Sequence, residues 1–406
     1  MFSAGKDDSL GLYVSIPFCK AKCSFCNFAS DVFAGERLDG YLDRVIAEMA
    51  EASAWAAKLD AYLPRQVDTI YLGGGTPSLL MPVQVKRLFT DLRSHFAIET
   101  DAEITVEAAP GQLARQTLAA LADHGVNRFS FGVQSFDDGE CAAVGRLHTG
   151  AACLAELESM AAAGFSHLAI DLIAGLPGQT TSSWERTLDC AIQSGVEHVS
   201  VYMLEVDEDS RLGREALSSG VRYGAGLLPP DEAVADWYEA ACERLSDGGL
   251  AQYEISNFAR PGAQARHNRK YWERKPYLGF GLDAHSMLKT DSGAVRWANA
   301  DSMDNYLRGL TGIGQQGSWP RSVERVSQLA ALEESLFLGL RLNEGVQLAG
   351  LREQFGDSAL RPIEDALQDV LAAQLLVRDG DSLRLTARGR IASNEVFSRL
   401  LLQPAA

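Results

Sequence analysis

The sequence lacks an excess of basic residues, a long apolar run and an even set of cysteines, and each absence removes a class of protein. Lys and Arg number 37 against 54 Asp and Glu, a net charge of −17. Long-range electrostatics therefore repel polyanions, and nucleic acid is not expected as a partner. No stretch approaches the roughly 20 consecutive apolar residues that span a bilayer, and residues 1–10 lack a basic segment followed by an apolar one. A cytoplasmic protein is expected, one that meets a membrane only through a target protein. The seven cysteines are odd in number, whereas a secreted disulfide framework is even and dispersed. Three of them crowd together, so a metal or redox site is expected instead.

What is present suits a globular α/β protein. Hydrophobic residues make up 46% and charged residues 22% of 406 positions, enough for a substantial core and about two to three domains. Strand patterns at 12–16, 69–72, 103–107, 128–133, 167–173 and 198–204 alternate with helical patterns at 40–58, 82–95, 113–124, 151–163 and 183–194. Such alternation predicts a mainly parallel sheet. No Gly-x-Gly-x-x-Gly turn follows the first strand, which weakens a nucleotide-binding doubly wound sheet. A partial (β/α)6 TIM-like barrel over 1–204 is expected, with ligand groups at the C-terminal ends of its strands. Residues 205–320 read as a barrel extension.

Residues 321–406 read as a helical, winged-helix-like domain. Helical patterns at 326–341, 348–355 and 363–373 precede two strands, 375–378 and 383–386, joined through Asp379-Gly380-Asp381. Winged helices often bind DNA, but this segment carries 10 basic and 12 acidic residues. A packing or lid role is expected ahead of a DNA-associated regulator.

The strongest local signal is Cys19, Cys23 and Cys26, a C-x3-C-x2-C run directly after the first strand. Three thiolates on one loop hold three irons of a cubane and leave the fourth iron open. Zinc is the competing metal, yet structural zinc takes four ligands and no fourth Cys or His lies nearby in sequence. The isolated Cys141, Cys153, Cys190 and Cys242 read as small buried apolar residues, and Trp184, Trp237 and Trp297 as core. Glu107, Gln134 and Asp171 fall near the ends of strands 3, 4 and 5, with Arg146 after strand 4. Charges there need partners if buried.

These motifs resemble the radical S-adenosylmethionine (SAM) superfamily, marked by the same cysteine spacing after the first barrel strand. The segments 13–28, 73–78, 132–136, 145–148 and 171–178 are similar to the oxygen-independent coproporphyrinogen III oxidase family and its heme-chaperone branch. The resemblance implies a [4Fe-4S] cluster on the three cysteines, with SAM on its open iron. It implies SAM contacts from Gly75 and Thr76 after strand 2 and from Glu107, Gln134, Arg146 and Asp171, with Tyr13 near the cluster and Phe25 near the adenine. His267-Asn268-Arg269-Lys270-Tyr271 matches an H-N-x-x-Y motif associated with heme in the chaperone branch. On a helix, His267 and Tyr271 share one face. His285 is a second candidate heme contact.

Two departures from the oxidase are visible. Phe28 stands where the oxidase has a fourth cysteine, and only 18 residues precede Cys19. A third difference, Ala109 where the family often has Asn, leaves Glu107 intact. The resemblance implies a heme chaperone delivering heme to hemoproteins, with an electron donor such as flavodoxin if SAM is cleaved. The alternative is radical decarboxylation by a coproporphyrinogen III dehydrogenase-like oxidoreductase. A homodimer is left open by the sequence.

Overall fold

The computed structural model describes residues 9–32, 35–218, 220–308 and 322–401. Six parallel strands, β1 (Leu10–Ser15), β2 (Gln66–Gly73), β3 (Ala97–Ala108), β4 (Arg128–Gln134), β5 (His167–Ala174) and β6 (His198–Met203), pair in chain order. Helices return the chain between them, among them Arg37–Lys58, Pro82–His95, Arg115–Asp123, Gly150–Ala162 and Thr181–Gln193. This is the expected partial barrel. The apolar residues of β1, Leu10, Leu12 and Val14, are fully buried against the helix layer. The alternate positions face inward, because successive side chains of a strand point to opposite faces.

That inward face is unusually polar. Register pairs Gly11 with Thr69, Tyr13 with Tyr71 and Ser15 with Gly73, then Thr69 with Glu103 and Tyr71 with Thr105. Glu107 lies beside Ser130 and Gly132 beside Asp171. A packed barrel interior is dominated by Val, Ile and Leu. A lumen lined this way is not an ordinary apolar barrel core.

The sheet is twice as wide as the six expected strands. β7 (Ala251–Gln252) and β8 (Asn257–Ala259) extend it beyond β6, while β9 (Tyr277–Phe280), β10 (His285–Thr290), β11 (Gly293–Ala298) and β12 (Ser322–Val326) extend it beyond β1. β9 pairs parallel to β1. The expected helix over 326–341 is shorter, because 322–326 alternates as a strand against β11 and Ser327 caps a helix running Gln328–Gly339. A second hydrophobic core then gathers around Leu332, Leu336, Ile363 and Val396. The expected hairpin is present as β14 (Leu376–Asp379) and β15 (Ser382–Leu385), with β13 (Val346–Gln347) as a third strand. No helix among the described residues is long and apolar enough to cross a membrane.

Trp184, Trp237 and Trp297 are buried as expected, the first donating its ring N–H to the Trp237 carbonyl. Cys141 and Cys153 are buried too, but Cys190 and Cys242 are only partly so. Both lie on helices packed over the sheet's outer layer, where one edge of each side chain stays wet.

Candidate cofactor site at the barrel mouth

The cysteine loop leaves β1 at Pro17 and is pinned on several sides. Phe18 bridges to Asp31, Cys19 N–H donates to the Asp31 carbonyl, and Ser24 N–H donates to the Val144 carbonyl. From beyond β6, Leu212 N–H reaches the Ser24 carbonyl, and Asp207 accepts from Asn27 at 3.1 Å. Lys22 closes the loop on itself, donating to the Ser30 carbonyl at 2.8 Å. β2 ends hard against this loop. A Cβ on Gly75 would lie 2.6 Å from the Ile16 oxygen and 2.8 Å from the Phe18 nitrogen, so only glycine fits.

Each cysteine sulfur has at least one polar neighbour. Thr76 Oγ1 donates to Cys19 Sγ at 3.7 Å, Arg146 Nη1 to Cys23 Sγ at 3.4 Å, and Ser30 Oγ lies 3.9 Å from Cys26 Sγ. Burial pushes the Cys19 and Cys26 thiols up from their ordinary range. A cation that takes the proton's place offsets that desolvation. Among the described residues no three His, Cys, Asp or Glu side chains gather closely enough for one metal ion. A cubane does not need such a gathering around one ion, since it takes one thiolate per iron. The three thiols, partly exposed and ringed by donors, fit an iron-sulfur cluster.

Next to the thiols sits a buried pair of acids without a direct ion pair, although the charges of Arg146 and Arg128 act on Asp171 from farther off. Glu107 accepts from Tyr71 hydroxyl at 2.9 Å and from Gly74 N–H at 3.2 Å. Asp171 accepts from Ser130 at 3.4 Å. Among the described residues, no Lys or Arg nitrogen lies within ion-pairing distance of either carboxylate. Burial, and then the neighbouring Asp171, push Glu107 up to about 7, and burial likewise raises Asp171. An ammonium or hydroxyl-bearing ligand between them supplies what the chain does not. Arg146 reaches the Gly132 carbonyl through Nη2, while its buried Nε has no partner and remains available for an anion.

The remaining expected residues line the same mouth. Gln134 occupies a bulge of β4 at φ 71°, a left-handed position that turns the strand end inward. Tyr13 stacks on Tyr71 with ring centroids 6.2 Å apart. Phe25 and Leu204 pack against Val144, Ile173 and Leu176, an apolar floor beside the ends of β5 and β6. Thr76, Gly75 and the three cysteines complete the set. Behind them the buried Glu140 ties down both exit loops, accepting from Ser135 at 2.7 Å, from Gln179 at 3.1 Å and from Ser183. Glu140→Ala is expected to cost about 3 kcal/mol, since it strands several buried donors at once. Urea unfolding with unchanged m would register it.

The H-N-x-x-Y segment is helical, Arg266–Trp272, and His267 and Tyr271 do share a face. That face does not open to solvent. It plugs the far end of the lumen, with His267 only 1% exposed. Thr69 Oγ1 lies 2.9 Å from His267 Nδ1, and Tyr271 hydroxyl lies 2.9 Å from Nε2. Glu103 caps the helix start by accepting from the N–H groups of Arg266 and His267. Burial, with Lys270 beside it, lowers His267 to about 3, so the ring is neutral. Asn268 is half-buried, and His285 lies exposed on β10, away from this helix. Sequence reasoning missed Tyr71, Thr69 and Glu103. Their signal was the period of two along β2 and β3, which puts them on the same face as Gly73 and Glu107.

A parallel β/α barrel with a three-cysteine loop after its first strand and unpaired acids at its mouth defines a radical SAM protein. Residues 13–191 match the radical SAM superfamily and residues 326–391 the HemN C-terminal domain. The chain is 33% identical to "Heme chaperone HemW" of Bacillus subtilis, covering 96% of this chain and 98% of that protein. It is 36% identical to the protein of the same name in Mycobacterium tuberculosis (H37Rv), over 96% and 94%. The chain belongs to the HemW-like radical SAM family, which carries with it a [4Fe-4S] cluster and SAM. Its fold matches the Escherichia coli coproporphyrinogen III oxidase HemN with a TM-score of 0.83 at 24% identity, covering 97% of this chain and 90% of that one.

Proposed function

We propose that this chain is a heme chaperone. It holds a [4Fe-4S] cluster on Cys19, Cys23 and Cys26, binds SAM at the barrel mouth, and passes heme to heme-accepting hemoproteins. The observation that carries the cofactor half is the Glu107–Asp171 pair, two deep carboxylates that make no direct ion pair among the described residues. Glu107 and Asp171 take the SAM ammonium and ribose hydroxyls, while Arg146 takes its carboxylate. Gly75 lends backbone atoms, Thr76 a hydroxyl and Gln134 an amide. Phe25 covers the adenine and Tyr13 walls the site. The cluster and SAM, when bound, supply one-electron cleavage of a carbon–sulfur bond, with flavodoxin or a similar protein as electron source.

Two observations support a chaperone rather than an oxidase. The relatives named above carry that name along nearly their full length. Phe28, at the position of the oxidase's fourth cysteine, is 67% exposed beside the cluster loop. Heme contact is assigned to His267, Asn268 and Tyr271. To hold heme iron, His267 would have to give up its hydrogen bond to Thr69 or to Tyr271 and leave its buried position.

Anaerobic reconstitution followed by heme titration and incubation with coproporphyrinogen III tests the assignment on one sample. Heme binding that weakens at least tenfold in Tyr271→Phe, with no tetrapyrrole decarboxylation, is the expected result. Carbon dioxide release from coproporphyrinogen III would establish the oxidase instead.

A further inference from the structure

The helix Arg266–Trp272 has two engaged faces, and they belong to different parts of the molecule. His267, Lys270 and Tyr271 point into the barrel, where Lys270 pairs with Asp68 at 2.7 Å and His267 stacks on Tyr71 with centroids 5.4 Å apart. The other face meets the C-terminal domain. Arg269 pairs with Glu344 at 2.6 Å, and the Arg341 guanidinium lies 4.2 Å above the Trp272 ring. Arg274, just past the helix, donates to Glu334 at 2.9 Å and to Ser335 at 3.3 Å, both on the helix Gln328–Gly339.

Tyr71 stands between this helix and the barrel mouth. Its hydroxyl donates to Glu107 Oε1, while its ring is sandwiched between Tyr13 on one side and His267 on the other. We propose that Tyr71 is a positioning residue that couples occupancy of the SAM site to the helix Arg266–Trp272, and through it to the C-terminal domain. The inference rests on the assignment of Glu107 to SAM. An ammonium arriving at Glu107 competes for the oxygen that now accepts the Tyr71 hydroxyl, so the phenol must shift with the carboxylate. His267 is held at both ring nitrogens and moves with its helix as a unit. Close-packed groups pass such a shift on instead of absorbing it. His267 on this account is a positioning residue too, acting through its helix.

Hydrogen exchange on the full-length, cluster-loaded protein tests the coupling without requiring heme. SAM is added without reductant so that it stays intact, and its binding is measured by equilibrium dialysis on the same sample. SAM is expected to slow amide exchange over 266–272 about fivefold, the lower range of measured site-to-site couplings. In Tyr71→Phe, which keeps the ring stack and removes the hydroxyl, saturating SAM is expected to leave 266–272 unprotected while still slowing exchange at 73–76. Thr69→Val, which releases His267 Nδ1, is expected to lose the same protection. Bound SAM with unchanged exchange over 266–272 in the wild type overturns the coupling alone, as does full protection in both variants. No SAM binding at all overturns the coupling together with the cofactor assignment.

Discussion

Glu107→Gln is expected to weaken SAM binding by roughly 30-fold or more, the cost of removing one member of a desolvated charge pair. The same substitution should make the SAM-free protein more stable at pH 8. Glu107 in the fold is raised to about 7, above its unfolded value near 4.5, so the folded state favours the protonated acid. Stability from this group is present below pH 4.5, declines as the pH rises toward 7, and stays lost above that. Glutamine mimics the protonated acid. Its amide oxygen accepts from Gly74 N–H and its amide nitrogen donates to the Tyr71 hydroxyl. Thermal melts of the SAM-free protein should show the variant ahead by roughly 2 °C at pH 8 and level with the wild type at pH 4.5. A variant that melts lower at pH 8 would mean that Glu107 is held by the fold and not reserved for a ligand.

The second large effect concerns the thiols. Cys26→Ala is expected to reduce bound iron after anaerobic reconstitution from about four per chain to below one, and to remove the cluster's visible absorption, because each thiolate serves its own iron. Cys190→Ala, on a helix of the outer layer, serves as the control and should retain the full iron content. The loop itself should stay folded in Cys26→Ala, since its hydrogen bonds to Val144, Leu212 and Asp31 involve backbone atoms. An unchanged far-ultraviolet spectrum with lost iron is therefore the diagnostic pair. Iron retained at four per chain would rule out Cys26 as a ligand.

Much of the barrel was legible because its physics is local. Each of β1 to β6 carries a short apolar run bounded by turn residues, and Cys19, Cys23 and Cys26 are neighbours in sequence. The full lengths of β2 and β3 were hidden, since 97–101 carries Glu99, Thr100 and Asp101 and stays largely exposed at the start of β3, where it pairs with the start of β2. β7 to β12 were hidden for another reason. β7 and β8, of two and three residues, are too short to show a period, while β9 takes its place only by pairing with β1, more than 260 residues earlier. The shared face of His267 and Tyr271 followed from their spacing. That this face seals the lumen did not, because burial depends on Thr69 and Tyr71, some 200 residues earlier.

The place of β9 has a consequence for how the protein is made. β1, which carries the cluster loop, lies between β2 and β9, and Gly11 pairs with Tyr277. At translation speeds of about 5–20 residues per second, the ribosome needs on the order of a quarter of a minute to a full minute to go from one to the other. Throughout that interval one flank of the nascent first strand has no hydrogen-bonded neighbour, a state that invites association with other unfinished chains. The first strand therefore gains its second hydrogen-bonded neighbour only once more than two thirds of the chain has been made.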